Sequence, residues 1–155
     1  MERTENNLLL RRIFPIEGGD FTNAGSISDQ IKKILKEAGF SNNLIRRICI
    51  AAFEAEMNVI CYASKGTLSL SIAPSFLKIV VDDEGKGIRD INLAMSEGYS
   101  TADEKIRELG FGAGMGLPNI RKNADEMILT SQFNRGTHLE FTVYLERQET
   151  ELPFE

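Results

Sequence analysis

The sequence predicts a single domain of the α/β (α+β) class. Three observations predict it. The 155 residues carry 42% apolar side chains, which is enough for one domain with a core and too little for two of ordinary size. Apolar residues recur at helical spacing over some stretches and gather into short runs of β-forming residues over others. The later strand-like runs come in pairs separated by turn residues, each pair after a helix, so helices and hairpins alternate.

Residues 8–16 are apolar enough for a first strand, which Pro15 with Gly18-Gly19 is expected to end. Residues 23–38 then alternate apolar and charged at helical spacing through Ile27, Ile31, Ile34 and Leu35, and Gly39 stops them. Ser41 is placed to N-cap a second helix running through Leu44, Ile48, Ala51, Ala55 and Val59 to about residue 64. This helix is unusually apolar for its length, and Gly66 is its expected breaker. Residues 67–73 and 76–82 follow as a hairpin joined tightly at Pro74-Ser75.

Past Ile88 the pattern is lost until Gly116, apart from a helical turn near residues 91–96. Loops beyond ~12 residues in a compact domain are usually lids or disordered, and a lid is the favoured reading. Pro118 sits where a first helical turn tolerates it, with a helix continuing over residues 119–127. Residues 127–133 and 138–145 flank Asn134-Arg135-Gly136-Thr137 as a second hairpin. Residues 1–147 are read as the domain and 148–155 as a polar tail.

Composition excludes several classes. The net charge of -5 offers no basic field for nucleic acid or an anionic membrane surface, which favours a protein or a metal-nucleotide complex as partner. The polar start, Met1-Glu2-Arg3-Thr4-Glu5, is not a signal peptide, and the longest apolar run, residues 48–53, is far short of the ~20 residues of a spanning helix. Cys49 and Cys61 have only His138 as a further soft ligand, so neither zinc nor a disulfide framework is suggested. A protein of the reducing cytoplasm is expected.

Two glycine clusters carry the chemistry. Asp83-Glu84-Gly85-Lys86-Gly87-Ile88 follows an apolar strand, so its aspartate emerges at a strand end, where a carboxylate can accept from an exocyclic amine while glycines leave room for a flat base. Taken alone, it also reads as an ordinary strand-to-turn exit. Gly110-Phe111-Gly112-Ala113-Gly114-Met115-Gly116-Leu117 precedes a helix, whose first backbone N–H groups bind phosphate well; the plain alternative is a hinge. It is neither the dinucleotide fingerprint nor a P-loop. Upstream, Glu54 and Asn58 stack on one face of the second helix, with Arg47 and Cys61 near the same stripe. An exposed polar stripe is the ordinary reading. Against it, the flanking sequence is so apolar that an acid there needs a partner, which a hard ion with phosphates supplies. His138 reads as a strand residue, while Lys86, Lys105 and Arg107 are within reach of phosphates but are ordinarily solvated.

With these residues in view, the chain resembles the GHKL ATPase superfamily of gyrase-type ATPases, heat-shock chaperones and histidine kinases. Glu54 and Asn58 match its N box, Asp83 to Gly87 its first glycine box, Gly112-Ala113-Gly114-Met115-Gly116 its second, and Gly136-Thr137 its final glycine-threonine element. Within the RsbT/RsbW group of stand-alone switch kinases and anti-sigma proteins, the Glu97-Gly98-Tyr99-Ser100-Thr101 segment and Gly116-Leu117-Pro118 look like the serine/threonine switch kinases of the RsbT type. Residues 102–111 make this lid longer than that type leads one to expect.

The resemblance implies a two-layer sandwich of the Bergerat type, a mixed sheet with helices on one face and an ATP lid. It implies Glu54 as general base, Asn58 as magnesium ligand, Asp83 as adenine partner and Gly87 as adenine wall, with Gly85 and Ile88 beside them. Gly110, Gly112, Gly114, Met115, Gly116 and Leu117 would hold the phosphates, and Thr137 would support the base. ATP and magnesium (Mg2+) are the implied cofactors. The implied reaction is γ-phosphoryl transfer to a serine or threonine of a STAS-domain antagonist, with a sigma factor or phosphatase as further partners and a homodimer allowed. An anti-sigma factor that sequesters a sigma factor is the alternative, and a sensor histidine kinase is disfavoured because the only histidine is His138.

Overall fold

A computed structural model describes residues 8–88, 91–97 and 116–145. Five strands form one sheet in the order β1-β2-β3-β5-β4. They are β1 (Leu10–Glu17), β2 (Ala63–Ile72), β3 (Phe76–Gly85), β4 (Glu126–Gln132) and β5 (Gly136–Tyr144). The helices are α1 (Ser26–Glu37), α2 (Asn42–Tyr62), the short α3 (Ile91–Ala94) and α4 (Gly116–Asn123), with a 3-10 turn at Phe21–Asn23.

Every neighbouring pair in the sheet is antiparallel, which corrects the expected mixed sheet. The reason lies in how the second half of the chain returns. The connection through α4 brings β4 back parallel to β3 but two positions away, and β5, folding back from β4, fills the gap antiparallel to both.

Alternation decides which face is covered. Leu68, Leu70 and Ile72 on β2, Leu77, Ile79 and Val81 on β3, and Leu139, Phe141 and Val143 on β5 are all buried, and their period of two puts them on one face. On that face α2 packs against β1, β2 and β3, with α1 and α4 against α2. The opposite face carries Ser69, Lys78, Glu140 and the exposed Ile13 and Ile128. The result is the two-layer arrangement expected.

Local chemistry explains the ends. Ser41 caps α2 as the sequence predicts, its Oγ accepting the Leu44 N–H at 3.2 Å. Pro15 does not end β1: the strand continues to Glu17, and its place at the sheet edge tolerates the missing N–H. Gly66 is not the helix breaker either. Helix α2 ends at Tyr62, the backbone turns extended at Ala63, and Gly66 lies inside β2 opposite Asp83. Helix α4 stops at Asn123 rather than Met127, because β4 begins at Glu126 and takes Met127 into the sheet.

Candidate nucleotide and phosphotransfer site

The site grows from one face of α2. About half of this helix is fully buried, whereas Glu54 and Asn58 are only partly so, because their stripe faces α4 and not the sheet. Gly116, the first residue of α4, closes on them: a Cβ placed on it would lie 3.2 Å from Glu54 Oε2 and 3.3 Å from Asn58 Oδ1. No side chain larger than hydrogen fits there without displacing one of the two oxygens. Asn119, one turn into α4, hydrogen-bonds the Glu54 side chain. Burial pushes the Glu54 carboxyl above the ordinary glutamate range, and the Asn119 bond only partly opposes it.

A second cluster forms at the far end of β3 and β5. Asp83 Oδ1 accepts the Thr137 backbone N–H at 3.1 Å, and burial raises the Asp83 carboxyl, with that bond lowering it and Asp82 adding to the rise. Gly87 adopts φ +72°, and a Cβ there would overlap the Gln132 carbonyl and come within 2.9 Å of Ser131 Oγ. Only glycine makes this turn against β4. The next residue, Ile88, donates its N–H to Ser131 Oγ at 2.6 Å. Gly66 of β2 packs its backbone between Val59 of α2 and Asp83 of β3.

Of the residues singled out in the sequence, Glu54, Asn58 and Gly116 therefore converge, as do Asp83, Gly87, Ile88 and Thr137. Gly85 lies at the end of β3 against the Tyr62 and Ala63 backbone, and Leu117 is half-buried against the core. Gly110, Gly112, Gly114 and Met115, and the lid residues Lys105 and Arg107, lie outside the described residues. Glu97 pairs with Lys122 of α4 at 2.5 Å, with both side chains more than half exposed.

Two participants and one structural acid were missed. Ser131 is a polar residue in the inward register of β4, after Met127 and Leu129, where alternation calls for an apolar one. That mismatch is the signal that marks it. Asn119 sits one turn beyond the glycine run and had no distinguishing pattern. Glu56 is the more deeply buried acid of α2, 2% exposed, and its carboxylate accepts the backbone N–H groups of Gly25 at 3.1 Å and Ser28 at 3.4 Å. It caps α1. Arg47, on the same stripe as Glu54, ties α2 to the end of α4 by bonding the Asn123 carbonyl at 3.2 Å and Asp125 at 3.1 Å. Cys61 is pushed up to about 11 by burial and then by the Glu54 charge, which keeps it an inert thiol.

The donor set fits a nucleotide with a hard divalent ion. Asn58 offers a neutral amide oxygen beside a glycine, and Asp83 has one oxygen held by the Thr137 N–H and a second that accepts no hydrogen bond among the described residues. Among the described residues no group of three or more His, Cys, Asp or Glu side chains forms a metal cage, so an ion here would take its remaining ligands from phosphates and water.

Fold and site together define an ATP-using phosphotransfer domain of the serine/threonine kinase and anti-sigma type. The chain belongs to the histidine kinase-like ATPase domain family, whose model matches residues 20–143. It is 32% identical over 118 residues to the serine/threonine-protein kinase RsbT of Bacillus subtilis, a match covering 74% of this chain and 83% of that one. An anti-sigma F factor of Caldanaerobacter subterraneus is 32% identical over 108 residues, covering 66% of this chain and 72% of the relative. Among solved structures, a chain of the SiaB-SiaC complex from Pseudomonas aeruginosa superposes with a TM-score of 0.62 over 92% of this chain and 93% of that chain at 14% identity, a likeness of fold. Among the described residues no helix is long and apolar enough to cross a membrane.

Proposed function

We propose that the protein is an ATP-dependent switch kinase that phosphorylates a serine or threonine of a STAS-domain partner in a bacterial partner-switching system, acting in the cytoplasm. The observation that carries this reading is the convergence of Glu54 Oε2 and Asn58 Oδ1 on Gly116, beside a second cluster in which the Thr137 N–H holds Asp83. In-line phosphoryl transfer needs positioning and charge neutralisation more than covalent help from the protein. Asn58 would hold magnesium against the phosphates, Gly110, Gly112, Gly114, Met115, Gly116 and Leu117 would wrap them, and Asp83 with Gly85, Gly87, Ile88 and Thr137 would hold the base. ATP supplies the phosphoryl group.

Glu54 is the residue assigned to the acceptor proton. Its raised pKa makes it a better base than an exposed glutamate, and Asn119 orients it. Since the base form appears only as pH rises through that raised value, transfer should show an acid limb above the ordinary glutamate range. A pH profile placing the limb at or below that range would remove Glu54 from the role.

The anti-sigma relative favours a second reading, in which the protein holds a sigma factor and kinase activity is secondary. Labelled ATP incubated with the protein and candidate STAS-domain or sigma-factor partners separates the two. Phosphate transfer to a STAS partner supports the kinase, whereas a stable sigma complex without transfer supports sequestration. Absence of magnesium-ATP binding by calorimetry would defeat the kinase reading.

A further inference from the structure

We propose that Ser131 is a positioning residue that makes the base pocket select an amine, hence adenine, over a carbonyl at the same ring position; the inference rests on the nucleotide-site reading above. Its hydroxyl has three neighbours: the Ile88 N–H at 2.6 Å, the Gly136 carbonyl at 3.1 Å and the Thr137 hydroxyl at 3.2 Å. A serine hydroxyl has one proton and two lone pairs. The Ile88 N–H only donates, so it occupies one lone pair. The Gly136 carbonyl only accepts, so it takes the proton. Thr137 must then donate into the remaining lone pair, and its own lone pairs are left as acceptors.

The same residue's backbone N–H holds Asp83 Oδ1, leaving Oδ2 as an acceptor as well. With Asp83 ionised, the side-chain oxygens left by this network at the base end are acceptors only. The 6-amino group of adenine brings two N–H donors to such a place. Hypoxanthine has the same ring shape but a carbonyl oxygen there, which would face acceptors with no proton to share. Without the Ser131 hydroxyl, Thr137 is free to turn its proton outward and serve either base, and the Ile88 N–H loses its partner. Selectivity thus passes through a side chain that need not touch the nucleotide.

The test is calorimetric titration of the full chain with magnesium-ATP and magnesium-ITP. The wild-type protein should prefer ATP. Ser131→Ala and Ser131→Cys should each lower the ATP-to-ITP preference about tenfold, the worth of roughly one hydrogen bond to a charged or buried partner. Ser131→Thr, which keeps the hydroxyl on a strand that accepts β-branching, should restore it. Cysteine nearly matches serine in shape, so it carries the test if the alanine variant does not fold. An unchanged preference, an equal loss of affinity for both nucleotides, a wild-type protein that binds ATP and ITP alike, or failure of both variants to fold would overturn the inference and leave the kinase reading standing. Binding of neither nucleotide by the wild-type protein would instead remove the nucleotide site itself.

Discussion

Two glutamates lie two residues apart on α2 and face opposite ways. Glu56 points to the start of α1 and is almost fully buried, with backbone N–H groups of Gly25 and Ser28 on its oxygens. Glu54 points to α4, half-buried, with the Asn119 side chain as a hydrogen-bond partner and Gly116 close against it. Burial raises both carboxyls. The difference lies in what their lone pairs are committed to. Glu56 closes the N-terminus of a helix and holds the fold, whereas Glu54 sits beside Asn58 against the glycine that starts α4.

The same substitution at the two positions separates these roles. Glu54→Gln keeps shape and one oxygen but removes the base, so ATP binding should persist while phosphate transfer to the partner falls by about 10²–10⁴-fold, the usual worth of a positioned acid or base. Filter assay of labelled partner checks it. Transfer at the wild-type rate would break the contrast on the catalytic side.

Glu56→Gln should do the reverse. A glutamine can accept from one of the two N–H groups, but its own NH₂ then faces the other donor, leaving it unsatisfied at a cost of about 1–3 kcal/mol. Denaturant unfolding should register that loss, and the folded fraction should transfer phosphate normally. The pH dependence points the same way for both acids. A carboxyl whose folded pKa is raised binds more protons folded than unfolded between the two values, so stability falls as pH rises through that window, above the ordinary glutamate value. Each Gln variant should flatten that part of the curve.

Gly116→Ala probes the close approach that sets Glu54 apart. Alanine's advantage of up to about 1 kcal/mol over glycine belongs to helix interiors and is smaller at this first position, so it is offset by the close contact and the melting temperature should change little. The new methyl would press on Glu54 Oε2 and Asn58 Oδ1, at 3.2 and 3.3 Å, and transfer should drop roughly tenfold through misplacement alone. A variant both more stable and fully active would mean that the two oxygens yield freely and that the close approach has no role.

This contrast was half legible in the sequence. Glu54 and Asn58 were found because an E-x-x-x-N stripe conflicts with an apolar helix, but that argument, that a buried acid needs a partner, applies more strongly to Glu56, where the partner is backbone. Backbone donors leave no mark in a sequence, so the cap was invisible. The hairpins were readable from alternation, and Ser41 from its capping chemistry. The wholly antiparallel pairing was not, since it depends on β5 filling the position between β3 and β4, a long-range choice that local pattern does not encode. Asp83 and Thr137 were placed by motif, while Ser131, whose hydroxyl joins Thr137 to Ile88, went unread although it breaks the apolar alternation of β4.

The outer face of the sheet supplies the control, away from both glutamates. His138 stands on β5 between Asp82 of β3 and Glu140 of its own strand, bonded to Asp82 through Nδ1 and to Glu140 through Nε2 at 3.0 Å, with Lys78 at 3.5 Å from Glu140. The bond to Asp82, then that to Glu140, raises the imidazole above its ordinary value. A raised histidine contributes its full stabilisation below the unfolded pKa and loses it as pH rises through the folded one. His138→Gln should therefore flatten the decline in melting temperature from about pH 6.5 upward. Because this is an exposed cluster, the change should stay under about 1 kcal/mol, with transfer unaffected. A loss of ATP affinity in that variant would mean that the outer strap between β3 and β5 helps to hold Asp83, one residue beyond Asp82, and would draw the sheet's open face into the site.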